Sequence, residues 1–247
     1  MQFIEVSDRG QITLIGLNRP EKKNALDQNM VDEISSAIND IQRRGPKILI
    51  IHSLVEGTFV SGADIKELYE RDADSALQAI NLGLFDKLQK FRWPTIAAID
   101  GYALGGGCEL ALACDFRLSS PSSKFGQPEL SLGIIAGAGG NWRLPQLVGI
   151  SVARQMLYTG KILSAEEALE VGLIDEIHQS EGLLDAATEL AERISERSFR
   201  ALEFTKLALA QSNNSTSNID VVAQALLFES EDKRARMSSF LNRRKNS

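Results

Sequence analysis

Apolar residues recur along this chain at two periods, and the period changes mark the elements. The runs FIEV (3–6) and ITLIGL (12–17) flank the polar stretch SDRGQ, which predicts a β-hairpin. NRP then breaks the pattern. From Asp27 onward Met30, Ile34, Ala37, Ile38 and Ile41 fall on one helical face, and Gly45 ends the run. KILIIH (47–52) is a short run with an unbroken apolar centre, the signature of a strand covered on both faces. TFVSGAD (58–64) turns into a short helix near residues 64–71. Leu77, Ile80, Leu84, Leu88 and Phe91 mark another helix, stopped at Trp93-Pro94. TIAAID (95–100) and FRLSS (116–120) read as further buried strands. GAGGNWRLPQLVG (137–149) reads as a glycine loop opening a short helix.

In SAEEALEVG (164–172) Ser164 is the expected N-cap, Glu167 its capping-box partner and Gly172 the stop. LIDEI (173–177) is a fourth buried strand. From about residue 181 the pattern is helical throughout: Leu183, Leu184, Ala187, Leu190, Ala191 and Ile194, then ALEFTKLALA, VVAQALLF and MSSFL. Strands and helices alternate to about residue 180, which predicts an α/β fold with parallel strands. The helical tail is either a cap on that core or an assembly surface. QSNNSTSN (211–218) is a polar loop too short to separate domains.

Composition narrows the functional classes. The 247 residues are 43% hydrophobic and 24% charged, ordinary for a globular chain with a sizeable core. The net charge of -6 disfavours nucleic-acid binding, which more often shows a basic face. Cys108 and Cys114 lie six positions apart and would point to opposite sides of a helix, so neither a mutual disulfide nor a shared metal is expected. Reduced cysteines, an N-terminus without an apolar leader and no run long enough to span a membrane predict a cytoplasmic or mitochondrial-matrix protein.

GYALGGGCELALACDFRL (101–118) carries the first chemical signal. Three glycines, Gly105, Gly106 and Gly107, precede a helix whose first turn holds Glu109. Bare backbone amides at a helix start can approach a ligand closely. The stretch matches neither the G-x-G-x-x-G dinucleotide fingerprint nor a P-loop, and the chain has no G-x-S-x-G or H-E-x-x-H. His52 and His178 read as strand-end residues without a catalytic role. What remains is backbone and carboxylate: Glu109, and Glu129 in FGQPEL. Each also has a plain reading, as a helix-start acid and a turn residue.

Four ordered blocks carry a family resemblance: SGADIKEL (61–68), AAIDGYALGGGCELALACDFRL (97–118), FGQPELSLGIIAGAGGNWRLPQLVG (125–149) and LSAEEALEVGLIDEI (163–177). With LNRPEKKNAL (17–26) and SEDKRARMSSFLNRRK (230–245), the chain resembles the crotonase, or enoyl-CoA hydratase/isomerase, superfamily over nearly its whole length. The resemblance implies a spiral of repeated ββα units, a core domain over residues 1–190 and a C-terminal helical region over 191–247 that forms trimers, which often pair into hexamers.

It also implies roles. The amides of Ala63 and Gly106 would hold a thioester oxygen. Glu109 would orient and deprotonate a water attacking C3, and Glu129, twenty positions on, would handle the proton at C2. Close carboxylates repel, so one of the pair is expected to titrate high. Ala63, Asp64, Ile65 and Lys66 would lie along coenzyme A, with Lys22, Phe240 and Arg243 reaching it from other segments, and Gly137 would support the water. Coenzyme A is then part of the substrate, and no separate cofactor, metal, nucleic acid or membrane partner is expected. Both acids favour hydration of a 2-trans-enoyl-CoA over Δ3–Δ2 isomerisation or another acyl-CoA reaction. A catalytically idle RNA-binding or scaffold role is the rival of another class. Ala136, Asn141 and Trp142 depart from the family's usual residues, and by resemblance lie near the acyl pocket.

Overall fold

The computed structural model describes residues 1–70, 72, 74, 77–211, 224, 226, 228, 230–233 and 235–237. Among these, ten strands form two sheets. The larger holds β1 (Ile4–Arg9), β2 (Ile12–Leu17), β3 (Ile48–Ser53), β5 (Thr95–Ile99), β7 (Phe116–Ser119) and β10 (Glu176–Ile177), in that spatial order. β1 and β2 pair antiparallel as the predicted hairpin, and every later pairing in this sheet is parallel. The smaller sheet orders β4 (Thr58–Val60), β6 (Tyr102–Leu104), β8 (Lys124–Gly126) and β9 (Leu163–Ser164). The chain therefore gives one strand to each sheet in turn: β3 then β4, β5 then β6, β7 then β8. That alternation is a repeated ββα unit, and it winds the chain into a spiral, as the resemblance implies.

The strands of the larger sheet are apolar on both sides because both faces are covered. Leu49 and Ile51 of β3 enter the main core with Ile34, Ile38 and Phe85. Ile48 and Ile50 face the other way, onto Leu183, Ala187 and Ala191. Burying each such Ile or Leu is worth about 1.5–3 kcal/mol. The helices with described bounds are α1 (Gln28–Arg43), α2 (Ile65–Glu70), α3 (Ile80–Gln89), α4 (Gly106–Leu112), α5 (Gly140–Thr159), α6 (Ala165–Glu170), α7 (Ser180–Ser195) and α8 (Phe199–Gln211). α7 carries the three residues that cover the sheet and runs unbroken across position 190.

Local signals largely hold. The Asp27 side chain caps α1 by accepting from Met30 N. Ser164 and Glu167 form the reciprocal capping box, at 3.2 and 3.0 Å. One helix differs from the sequence reading. The helix expected from Leu77 starts at Ile80, because Ala79 takes a left-handed φ of 50° and leaves Leu77 exposed. The short helix expected to stop at Gly149 does so: Gly149, at φ 73° and ψ 159°, is not helical, and a second helical stretch follows it directly to Thr159 within the span of α5. Cys108 and Cys114 are both free and buried. Among the described residues no helix is long and apolar enough to cross a membrane, and no group of His, Cys, Asp and Glu could hold a metal ion. Phe240 and Arg243 lie outside the described residues, with residues 212–218 and most of the apolar runs that follow.

Candidate active site

β4 and β6 are parallel neighbours, with Thr58 beside Tyr102 and Val60 beside Ala103. Parallel neighbours release their following loops at the same end of the sheet, here Ser61-Gly62-Ala63 and Gly105-Gly106. Leu26 brackets the first loop: its N–H donates to Gly62 O (2.8 Å) and its carbonyl accepts from Asp64 N (3.0 Å). Gly106 opens α4. A Cβ at Gly106 would stand 3.7 Å from Ala63 N, so the two residues line one spot. Neither amide donates a hydrogen bond among the described residues. The third glycine has a packing reason: a Cβ at Gly107 would stand 2.1 Å from Val60 O, so α4 can only dock on β4 if that position is bare.

Glu109 sits in the first turn of α4 and is 3% exposed. Its Oε1 accepts from the N–H groups of Ala138 and Gly140, both at 2.8 Å. Glu129 opens the 3-10 turn Glu129–Leu132 that follows β8, and is 9% exposed. Buried Gln127 presents its amide nitrogen to both Glu129 oxygens, at 3.0 and 3.2 Å. A point beside Gly140 lies 3.2 Å from Glu109 Oε1 and 3.0 Å from the other terminal atom of the Gln127 amide, its oxygen in this orientation, so Gln127 reaches the neighbourhood of both acids.

Burial raises both carboxyls above their usual range. Glu109 is held back by the Gly140 and Ala138 amides and by the charge of Arg143. Glu129 rises to about 7, chiefly through burial, with the Glu109 carboxylate adding a smaller push. Mutual repulsion is thus the lesser cause, and desolvation the main one, contrary to the sequence-based expectation. A hydrogen bond from its own backbone N–H acts in the opposite direction. The result is a pair of acids in different settings. One is fixed by two amides; the other is poised to exchange a proton near neutral pH.

Residues 7–247 match the family described as enoyl-CoA hydratase/isomerase. The chain belongs to that family. A crotonyl-CoA hydratase from Syntrophomonas wolfei is 37% identical over 242 residues, covering 95% of this chain and 93% of the relative. A 2,3-dehydroadipyl-CoA hydratase from Escherichia coli is 35% identical over 251 residues, with 99% and 97% coverage. The crystal structure of an enoyl-CoA hydratase from Bacillus anthracis superposes with a TM-score of 0.93 at 30% identity, covering 98% of this chain and 97% of that one.

For an enoyl-CoA hydratase/isomerase family member, the remaining residues fall as follows. A cavity of about 990 Å³ joins Ala63, Gly106, Glu109 and Glu129, and Lys22, Asp64, Ile65, Lys66 and Gly137 also line it. The Asp64 carboxylate is already engaged, with Arg19 and Lys22 each at 3.4 Å and Lys66 N at 3.1 Å. Arg19 also binds Ala25 O (2.6 Å) and Asp27 (2.9 Å), so buried Arg19 ties the segment 25–27 to the loop that carries Ala63. Gly137 lines the cavity, but the amides that grip Glu109 belong to Ala138 and Gly140.

Asn141 and Trp142, expected near an acyl pocket, do not line this cavity. Both are exposed on α5, and Trp142 stacks over Arg143 with the guanidinium carbon 4.0 Å from its ring centroid. The apolar walls come instead from Ile80, Leu82, Leu132, Ile134 and Ile135. The sequence reading passed over Gln127 and Arg143. Gln127 carried a signal, a polar residue between the apolar end of β8 and Pro128, where a loop would ordinarily expose it.

Proposed function

We propose that the protein adds water across the double bond of 2-trans-enoyl-CoA thioesters to give 3-hydroxyacyl-CoA. The observation that carries this is the meeting of four groups on one cavity: the Ala63 and Gly106 amides, which have no partner among the described residues, and the two buried acids Glu109 and Glu129. The thioester oxygen binds between the two amides. Water held against Glu109 loses a proton to it as its oxygen bonds to C3. The π electrons move toward the thioester, and the negative charge grows on the oxygen that the amides face. Each such donor is worth about 2.7–4 kcal/mol in the transition state. Glu129 then gives its proton to C2. The net change is one water added; Glu109 ends protonated and Glu129 ionised, and solvent exchange resets them. No electrons leave the substrate, so this reading calls for no redox cofactor.

The test is a panel of enoyl-CoA thioesters of different chain length, read by mass and by loss of the enoyl absorbance. A mass gain of one water supports hydration. Turnover without mass change means isomerisation, and no turnover on any member removes the reading.

The titration of Glu129 predicts a pH dependence of hydration. Glu129 must carry a proton to serve C2, so activity falls as pH rises through about 7. Initial rates of hydration measured across pH check this; a rate that does not fall through that range would exclude Glu129 as the group that serves C2.

The same reading includes assembly into trimers. Ile150 and Tyr158 on α5, with Ile162 and Leu169 after it, are exposed apolar side chains in the isolated chain, and an obligate interface covers surface of that kind. Analytical ultracentrifugation should report three times the 27.1 kDa chain mass, or six times if trimers pair.

A further inference from the structure

We propose that Arg143 is a positioning residue for the hydration, clamping the segment Ala138–Gly140 whose amides grip Glu109. This rests on the role given to Glu109 above. Arg143 lies in the first turn of α5, where the helix dipole disfavours a cation, and it is 3% exposed. A cation placed there at double cost needs a reason, since a buried ion pair is often no more stabilising than apolar side chains of similar volume.

The hydrogen bonds supply the reason. Nη1 donates to Ala138 O (2.8 Å), Nε to Gln89 Oε1 (2.9 Å) and Nη2 to Asp86 Oδ1 (2.6 Å). Three successive peptide planes run from Gly137 to Gly140. The outer two send their N–H groups, those of Ala138 and Gly140, to Glu109. Arg143 holds the carbonyl of the middle plane. The guanidinium is anchored on its far side to α3 and pressed between Trp142 and Gly139. A Cβ at Gly139 would stand 1.9 Å from Nη1, so this glycine is bare to admit the clamp. The groups facing Glu109 are Arg143 from α5, Glu129 from the turn after β8 and the Cys108 thiol beside it on α4. Of these only Arg143 is a cation, and its charge favours the ionised base against burial.

The test uses Arg143→Gln, Arg143→Lys, Asp86→Asn and Glu109→Gln, with kcat, KM and the pH profile of hydration measured on folded protein. Arg143→Gln is expected to lower kcat by about 100-fold with little change in KM, since a small misplacement of a catalytic group costs about that much. Its acid limb should move to higher pH. Arg143→Lys should restore the acid limb but not kcat, because it keeps the charge and loses the fork. A folded Arg143→Gln with unchanged kcat and acid limb overturns the proposal. If Arg143→Gln does not fold, half-buried Asp86→Asn decides: a lower kcat with the acid limb moved to lower pH supports the clamp, and an unchanged profile overturns it. An active Glu109→Gln would instead sink the role of Glu109, so the two failures are distinguishable.

Discussion

Replacing Glu109 by Gln will lower kcat for hydration by about 10²–10⁴-fold while KM stays near its original value. The substitution keeps shape and volume, and the new amide oxygen can still accept from Ala138 and Gly140 N–H. What disappears is the capacity to take a proton from water. In the proposed mechanism substrate affinity comes from the thioester clamp and the walls of the cavity, which are untouched. Folding should not suffer either, because burial already disfavours the charge on Glu109. Steady-state kinetics with a thermal melt tests this: a variant within a few-fold of the original kcat, and equally stable, would show that Glu109 is not the base.

Neighbouring glycines in the same motif should fail in different ways. Gly107→Ala puts a methyl 2.1 Å from the backbone oxygen of Val60, which no side-chain adjustment relieves. α4 must lift from β4, and strain of this kind costs several kcal/mol, of the size that unfolds marginal proteins. Gly106→Ala meets only ordinary contacts, at 3.7 Å, one of them Ala63 N. Its methyl occupies the spot proposed for the thioester oxygen. We expect a normal melting temperature and a loss of about 10²–10³-fold in kcat/KM, the size reported by removing one oxyanion donor. Equal stability for the two variants, or an active Gly106→Ala, would contradict the assigned geometry.

Much of this was legible in the chain, for identifiable reasons. Runs with an unbroken apolar centre such as KILIIH announce buried strands, and α1 declares itself by periodicity and its Asp27 cap. The smaller sheet was not legible. Three of its strands, at 58–60, 102–104 and 124–126, are three residues long, too short to display a period, and they sit inside stretches that read as turns. Their pairing is long-range and only the fold creates it. The site divides the same way. Glu109, Glu129 and the glycines stand out as residue types in odd places. Ala138, Gly140, Gln127 and Arg143 act through contacts made across the fold, and nothing local in GAGGNWRL says where its amides or its arginine will point.

The thioester clamp we propose is made of peptide groups set side by side by adjacent strands. Nearly every residue has an N–H to offer, so a missense change that leaves the backbone in place cannot delete one; only proline or added bulk can. The acids have no such protection, since a single nucleotide change can remove either carboxylate. Lineages descended from such a scaffold should therefore diverge by exchanging their acids and recutting the cavity walls while continuing to bind acyl thioesters.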